Sequence, residues 1–101
     1  KLAAGKADLA ADMLSMLLAS LPADQSNLRR LRSAGEHLEL IEQVHRLHGA
    51  TRYCGVPQLR GICQHCESLL KTADPRAPHA LDELDAAITR LLNETSQTVA
   101  S

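Results

Sequence analysis

The chain has 101 residues, 45% of them apolar and 23% charged, with a formal net charge of −1, no Phe, no Trp and Tyr53 as its one aromatic side chain. That length describes one small domain, whose core must be built from Leu, Ala, Ile, Val, Met and Cys, a palette that suits packed helices better than sheets. Near-neutral charge and the lack of an aromatic ladder give no field to attract a polyanion and no platform for stacked bases, so nucleic acid is not an expected partner.

From Ala7 to Leu21, the residues Leu9, Ala10, Met13, Leu14, Leu17, Leu18 and Leu21 recur at three- and four-residue spacing, which predicts a helix with a wide apolar face. Pro22 is expected to stop it. The most apolar part, Met13 to Leu21, holds two serines and falls far short of the roughly 20 residues that span a bilayer. The reading is a soluble, cytoplasmic domain without membrane span or signal peptide. A weaker helical segment is expected from Ala23 to Ala34, with Leu28 and Leu31 inward and Arg29, Arg30 and Arg32 outward as a solvated face, and Gly35 breaks it.

The third pattern runs from about Glu36 to Cys54, with Leu40, Val44, Leu47, Thr51 and Cys54 forming one buried stripe. After Gly55, Pro57 sits where the first turn of a new helix accepts it, and Leu59, Ile62, Cys63, Cys66, Leu69 and Leu70 line one face as far as Ala73. Asp74 to Pro78 reads as a turn, and Leu81, Leu84, Ile88, Leu91, Leu92, Thr95 and Val99 mark a last long helix. Period-two alternation is absent. The expected fold is all-α: an antiparallel four-helix bundle with a short additional helical segment.

The informative stretch is His45-Arg46-Leu47-His48-Gly49, in the middle of the third helical pattern. If Val44 points at the bundle axis, about 100° per residue gathers Ile41, His45, His48 and Arg52 on one accessible strip at the flank. Glycine inside a strong helix costs about 1 kcal/mol relative to alanine. Gly49, one turn after His45, removes steric cover from that imidazole and opens an approach for something bulky.

His45-x-Leu47-His48-Gly49, followed by Gly55 ten residues after the histidine and then Leu59, resembles the signature of histidine-containing phosphotransfer (HPt) domains. The wider run from His45 to Glu67, with Tyr53, Gly55-Val56-Pro57 and Cys63-Gln64, is similar to the C-terminal HPt domains of BarA/GacS-type hybrid sensor kinases, and Met13 to Pro22 fits the same group. The resemblance implies a phosphorelay. His45 would accept a phosphoryl group at Nε2 from a receiver domain's phospho-aspartate and pass it to the aspartate of a separate response regulator.

It also implies roles for the neighbours. His48 stands where most of the family has a lysine that stabilises phosphoryl oxygens; Arg46 and Arg52, permanently charged, compensate. Glu67 occupies the position from which family members orient the histidine by accepting a hydrogen bond from Nδ1–H, often with glutamine there instead. Leu38 and Ile41, with Met13 and Met16 of the first helix, would form an apolar docking surface for receivers. No intrinsic cofactor is expected, since Mg²⁺ and the reactive carboxylate belong to the receiver. The module would be a carrier that does not turn over alone, monomeric when isolated, and excised from the C-terminus of a larger kinase anchored in the inner membrane.

Other signals carry less. Three cysteines, two of them three residues apart, argue against a disulfide framework and for a reducing compartment. Cys63, Cys66 and Cys54 read as small core residues rather than metal ligands, and His37, His65 and His79 as surface residues. The competing class is a structural or dimerisation bundle in which the His45 strip is mere surface. A zinc-binding bundle using Cys63 and Cys66 ranks below it.

Overall fold

The computed structural model describes residues 5–52 and 56–100, with side chains described over 12–52 and 56–94. Lys1, Tyr53, Cys54 and Gly55, and the side chains of Leu9, Ala10, Thr95 and Val99, on which expectations were placed, lie outside the described residues. Four helices follow in chain order: α1 (Gly5–Ala34), α2 (His37–Thr51), α3 (Pro57–Lys71) and α4 (Ala77–Ala100). Each packs on its neighbours in a ring, α1 on α2, α2 on α3, α3 on α4 and α4 back on α1. The short turns make successive helices antiparallel, which is the expected bundle.

The stripes anticipated from the periodicity are the core. Leu21, Val44, Cys63, Cys66, Leu84 and Ile88 are wholly buried, and Leu17, Leu28, Leu31, Leu40, Leu47, Leu59, Leu69, Leu70 and Leu81 pack around them. Burying a Leu or Ile side chain fully is worth about 1.5–3 kcal/mol, so this cluster supplies the main drive for folding.

Two boundaries differ from expectation. Pro22 does not end a helix: α1 runs unbroken through it and absorbs the anticipated extra segment. The buried leucines at positions 17, 21, 28 and 31 continue one stripe across the proline, so stopping there would forfeit packing of the second half. Pro22 itself is exposed. The carbonyl of Leu18 loses its N–H partner there, a cost that the packing of the continued stripe outweighs. Pro78, read as part of a turn, stands instead in the first turn of α4, where its missing N–H has no intrahelical partner to lose.

The arginine cluster of α1 is also corrected. Arg29 forks onto Asp85 at 2.8 and 2.9 Å, and Arg32 reaches Asp82 at 2.7 Å and the Pro78 carbonyl at 3.2 Å. Arg30 donates to Asn27 within its own helix. Arg29 and Arg32 are thus clips along the sparsely packed α1–α4 seam rather than a free solvated face, helped by Gln25, which donates to the Asp85 carbonyl and Thr89. On the opposite side, buried Gln43 of α2 accepts from Asn27 at 2.9 Å and donates to Asp24 at 3.3 Å, bolting α2 to α1.

The turns after α1 and α3 share one geometry. After α1, Glu36 N–H bonds the Leu31 carbonyl and Gly35 takes φ +70°. After α3, Asp74 N–H bonds the Leu69 carbonyl and Ala73 takes φ +52°. Glycine enters that left-handed region freely, whereas a Cβ makes it costly. Ala73→Gly is therefore expected to stabilise the domain by about 1 kcal/mol, read as a higher midpoint in chemical denaturation with an unchanged slope.

Candidate functional site

α2 presents three strips in turn. Leu40, Val44, Leu47 and Thr51 face the core; Ile41 and His48 sit half-buried on the side toward α3; Leu38, Glu42, His45, Arg46, Gly49 and Arg52 are exposed. The expected accessible strip therefore divides. His45 and Arg52 stand in solvent, but His48 and Ile41 are turned about 60° and 40° from His45 toward α3, as their offsets in a helix require.

α3 supplies what faces them. Glu67 lies one step off the apolar stripe of that helix, and its side chain is only 8% exposed, whereas the His45 ring is 66% exposed. Its Oε2 accepts from His45 Nδ1 at 2.6 Å, and its Oε1 is 3.1 Å from His48 Nδ1. A carboxylate can only accept, so each imidazole donates its Nδ1–H. In the neutral tautomer the lone pair then resides on Nε2, which for His45 is the outward nitrogen.

Sequence reasoning paired Glu67 with His45 alone, set His48 toward phosphoryl oxygens, and so missed two further partners, His48 and Lys71. Lys71 Nζ lies 2.9 Å from the same Oε2 that His45 uses. Its signal was present as the four-residue spacing from Glu67 on one helix, a pairing that gains meaning only once Glu67 is placed opposite His45. Burial alone would push the Glu67 carboxyl upward, but hydrogen bonds from Lys71, His45 and His48 outweigh it and hold the group down at about 2.

Arg46 and Arg52 are exposed and make no ion pair among the described residues, in contrast to Arg29, Arg32 and Arg76. Gly49 is exposed too, and a Cβ built there would meet no described atom within 4 Å. Nothing in the packing of the described residues calls for glycine at this position. The surface residues named from the sequence fall on two sides of His45. Leu38, Ile41 and Lys71, with Glu39 and Glu42, border one shallow depression at the histidine; Met13, Met16, Leu17, Ser20 and Ala50 line another between α1 and α2. Leu38 is 80% and Met16 71% exposed, unusual for apolar side chains of this size.

Cys63 and Cys66 are free thiols inside the core. Burial, with the nearby Cys66 and Glu67, pushes Cys63 up to about 12. Burial also takes Cys66 to about 11, against a lowering by Arg32. Both are protonated packing residues with no nucleophilic character. His37, His65 and His79 are exposed, His79 with a weak 3.9 Å approach to Glu83. Among the described residues no helix is long and apolar enough to cross a membrane, and no three His, Cys, Asp or Glu side chains are gathered to hold a metal ion.

Comparison with known proteins bears on the same stretch. The family model for the Hpt domain matches residues 12–94. The chain is similar to the sensor histidine kinase GacS of Pseudomonas protegens, 66% identical over 93% of this chain and 10% of the relative. It is 63% identical to the sensor protein GacS of Pseudomonas syringae pv. syringae over 90% of this chain and 10% of that protein. It is also 40% identical to the signal transduction histidine-protein kinase BarA of Escherichia coli over 82% of this chain and 10% of that protein. The chain thus spans about a tenth of the length of these relatives. No solved structure matches it significantly.

The depressed carboxyl makes stability depend on pH. Folded Glu67 titrates near 2 against an ordinary 4.5, so the unfolded chain binds the proton more readily. Its contribution is present above about 4.5 and is lost as pH falls toward 2. Denaturation midpoints measured across that window are expected to fall more steeply for the native sequence than for Glu67→Gln.

Proposed function

The chain belongs to the Hpt domain family, and from that premise we propose that its phosphorelay function is carried by His45, which takes a phosphoryl group from a receiver's phospho-aspartate and hands it to the aspartate of a response regulator. The observation that carries the assignment is the 2.6 Å contact from Nδ1 to a sheltered carboxylate, beneath an imidazole whose other nitrogen faces solvent.

The chemistry follows from that arrangement. The Nε2 lone pair attacks phosphorus, the N–P bond forms, and the P–O bond to the receiver's aspartate breaks, the carboxylate leaving with the electron pair. No proton need be removed. The product ring carries both the N–P bond and Nδ1–H, so it is positive, and Glu67 faces that charge. In the second transfer Nε2 departs with its electron pair as a neutral imidazole, a good leaving group because Nδ1 has kept its proton throughout. Glu67 therefore supports both directions by holding one tautomer.

The surroundings supply position and charge. Arg46 on α2 and Arg52 just after it are exposed guanidiniums with no ion pair among the described residues, which supports a role in meeting phosphoryl oxygens in the complex, and His48 buttresses Glu67 from its second oxygen. The reactive carboxylate and Mg²⁺ come with the receiver, so this module carries phosphate and does not catalyse turnover alone. Leu38 and Ile41 on one side, and Met13 and Met16 on the other, offer apolar contact to partners. Coverage of a tenth of the kinase relatives fits a single module, residues 1–101, working in the cytoplasm within a longer hybrid kinase whose own receiver is one partner.

Incubation with a phosphorylated receiver and Mg²⁺ is expected to give base-stable, acid-labile protein phosphate in the native sequence and none in His45→Gln; label retained by that variant would overturn the assignment. Gly49 separates access from stability. Gly49→Ala is expected to raise stability by up to about 1 kcal/mol, whereas Gly49→Leu keeps full helicity by circular dichroism and loses receiver-dependent transfer.

A further inference from the structure

Glu67 poses an electrostatic problem. A carboxylate that orients His45 also sets a negative charge behind the ring that must accept a phosphoryl group, itself close to doubly negative. A neutral amide at that position would orient the ring without this repulsion. The structure holds an answer in Lys71, whose ammonium sits 2.9 Å from the oxygen that accepts from His45. It is the one ammonium bound to that carboxylate among the described residues, and it borders the same depression as His45. Among the described residues, the other ionisable groups around Glu67 are His45 and His48 from α2 and Cys63 from its own helix. Glu39 and Glu42 line the depression and deepen its negative character, so the burden of neutralising Glu67 falls on Lys71.

We infer that Lys71 is a positioning residue for His45: by binding Glu67 Oε2 it fixes the oxygen that holds Nδ1–H and cancels the carboxylate's charge toward the incoming phosphoryl group. The inference rests on His45 being the acceptor and goes beyond it. Glu67 and Lys71 form a matched pair, in which the lysine is needed because the orienting group is an acid. Lys71 acts through Glu67, and its importance vanishes when Glu67 no longer carries charge.

A double-mutant cycle on the 101-residue chain tests this, with phosphoramidate as the donor so that no docking surface intervenes. In that reaction Nε2 bonds to phosphorus as the donor's own N–P bond breaks and ammonia leaves. Lys71→Met is expected to slow His45 phosphorylation about tenfold in the native background and less than twofold in Glu67→Gln, a coupling typical of charges in direct contact. Lys71→Arg should restore most of the rate. Nitrogen-15 NMR of the His45 ring gives a readout independent of transfer, and the Nδ1–H tautomer is expected to lose population in Lys71→Met. Equal slowing in both backgrounds, or no slowing with an unchanged tautomer, overturns the role of Lys71 while leaving His45 as acceptor. Failure of the native chain to label at His45 overturns the acceptor assignment and this inference with it.

Discussion

The site depends on a carboxylate kept almost out of water. Glu67 projects from the edge of an apolar helix face into the seam between α2 and α3, where it receives the His45 and His48 imidazoles and the ammonium one turn along its own helix. Burying a charge this way is costly unless every lone pair finds a donor. Here each oxygen has at least one, and no buried side-chain polar atom among the described residues is left without a partner. The carboxylate is a fixed point against which an exposed ring is held in one tautomer. Orientation comes from the interior and reactivity from the exterior.

The rest of the bundle keeps that seam in register. Buried Cys63 lies beside Glu67 on its own helix, and the Gln43, Asn27 and Asp24 contacts tie α2 to α1 on its far side. The ion pairs from Arg29 and Arg32 join α1 to α4 where apolar packing is thinnest. These pairs are exposed, so their worth is modest and their effect is chiefly on alignment.

Much of this was legible in the amino-acid order. Helical periodicity fixes which face of a helix is buried, so Leu40, Val44, Leu47 and Thr51 could be placed before any coordinates, and the HPt-like motif pointed to His45 and Glu67. What could not be read depended on how neighbouring helices meet. Pro22 looks like a terminus when only local backbone cost is weighed; the leucine stripe continuing past it decides otherwise. Arg29 and Arg32 look solvated until α4 brings Asp85 and Asp82 opposite them. Lys71 is an ordinary surface lysine by composition, and His48 looks accessible beside His45. The position of Glu67 across the seam turns the lysine into a partner, and it gives His48, already turned toward α3 by its helical offset, a carboxylate to meet.

Gly49 carries a further meaning. An alanine would fit there without touching any described atom, as it would at Gly61, for which the structure offers no explanation. On the proposed relay role, the space left at position 49 by the absent methyl group, one turn from His45, serves a partner molecule. The sequence is thus suboptimal in solitude and complete only in company. Any procedure that improves this domain by scoring the free chain, whether design or selection for heat resistance, would fill that gap early and yield a sturdier bundle with a silenced relay.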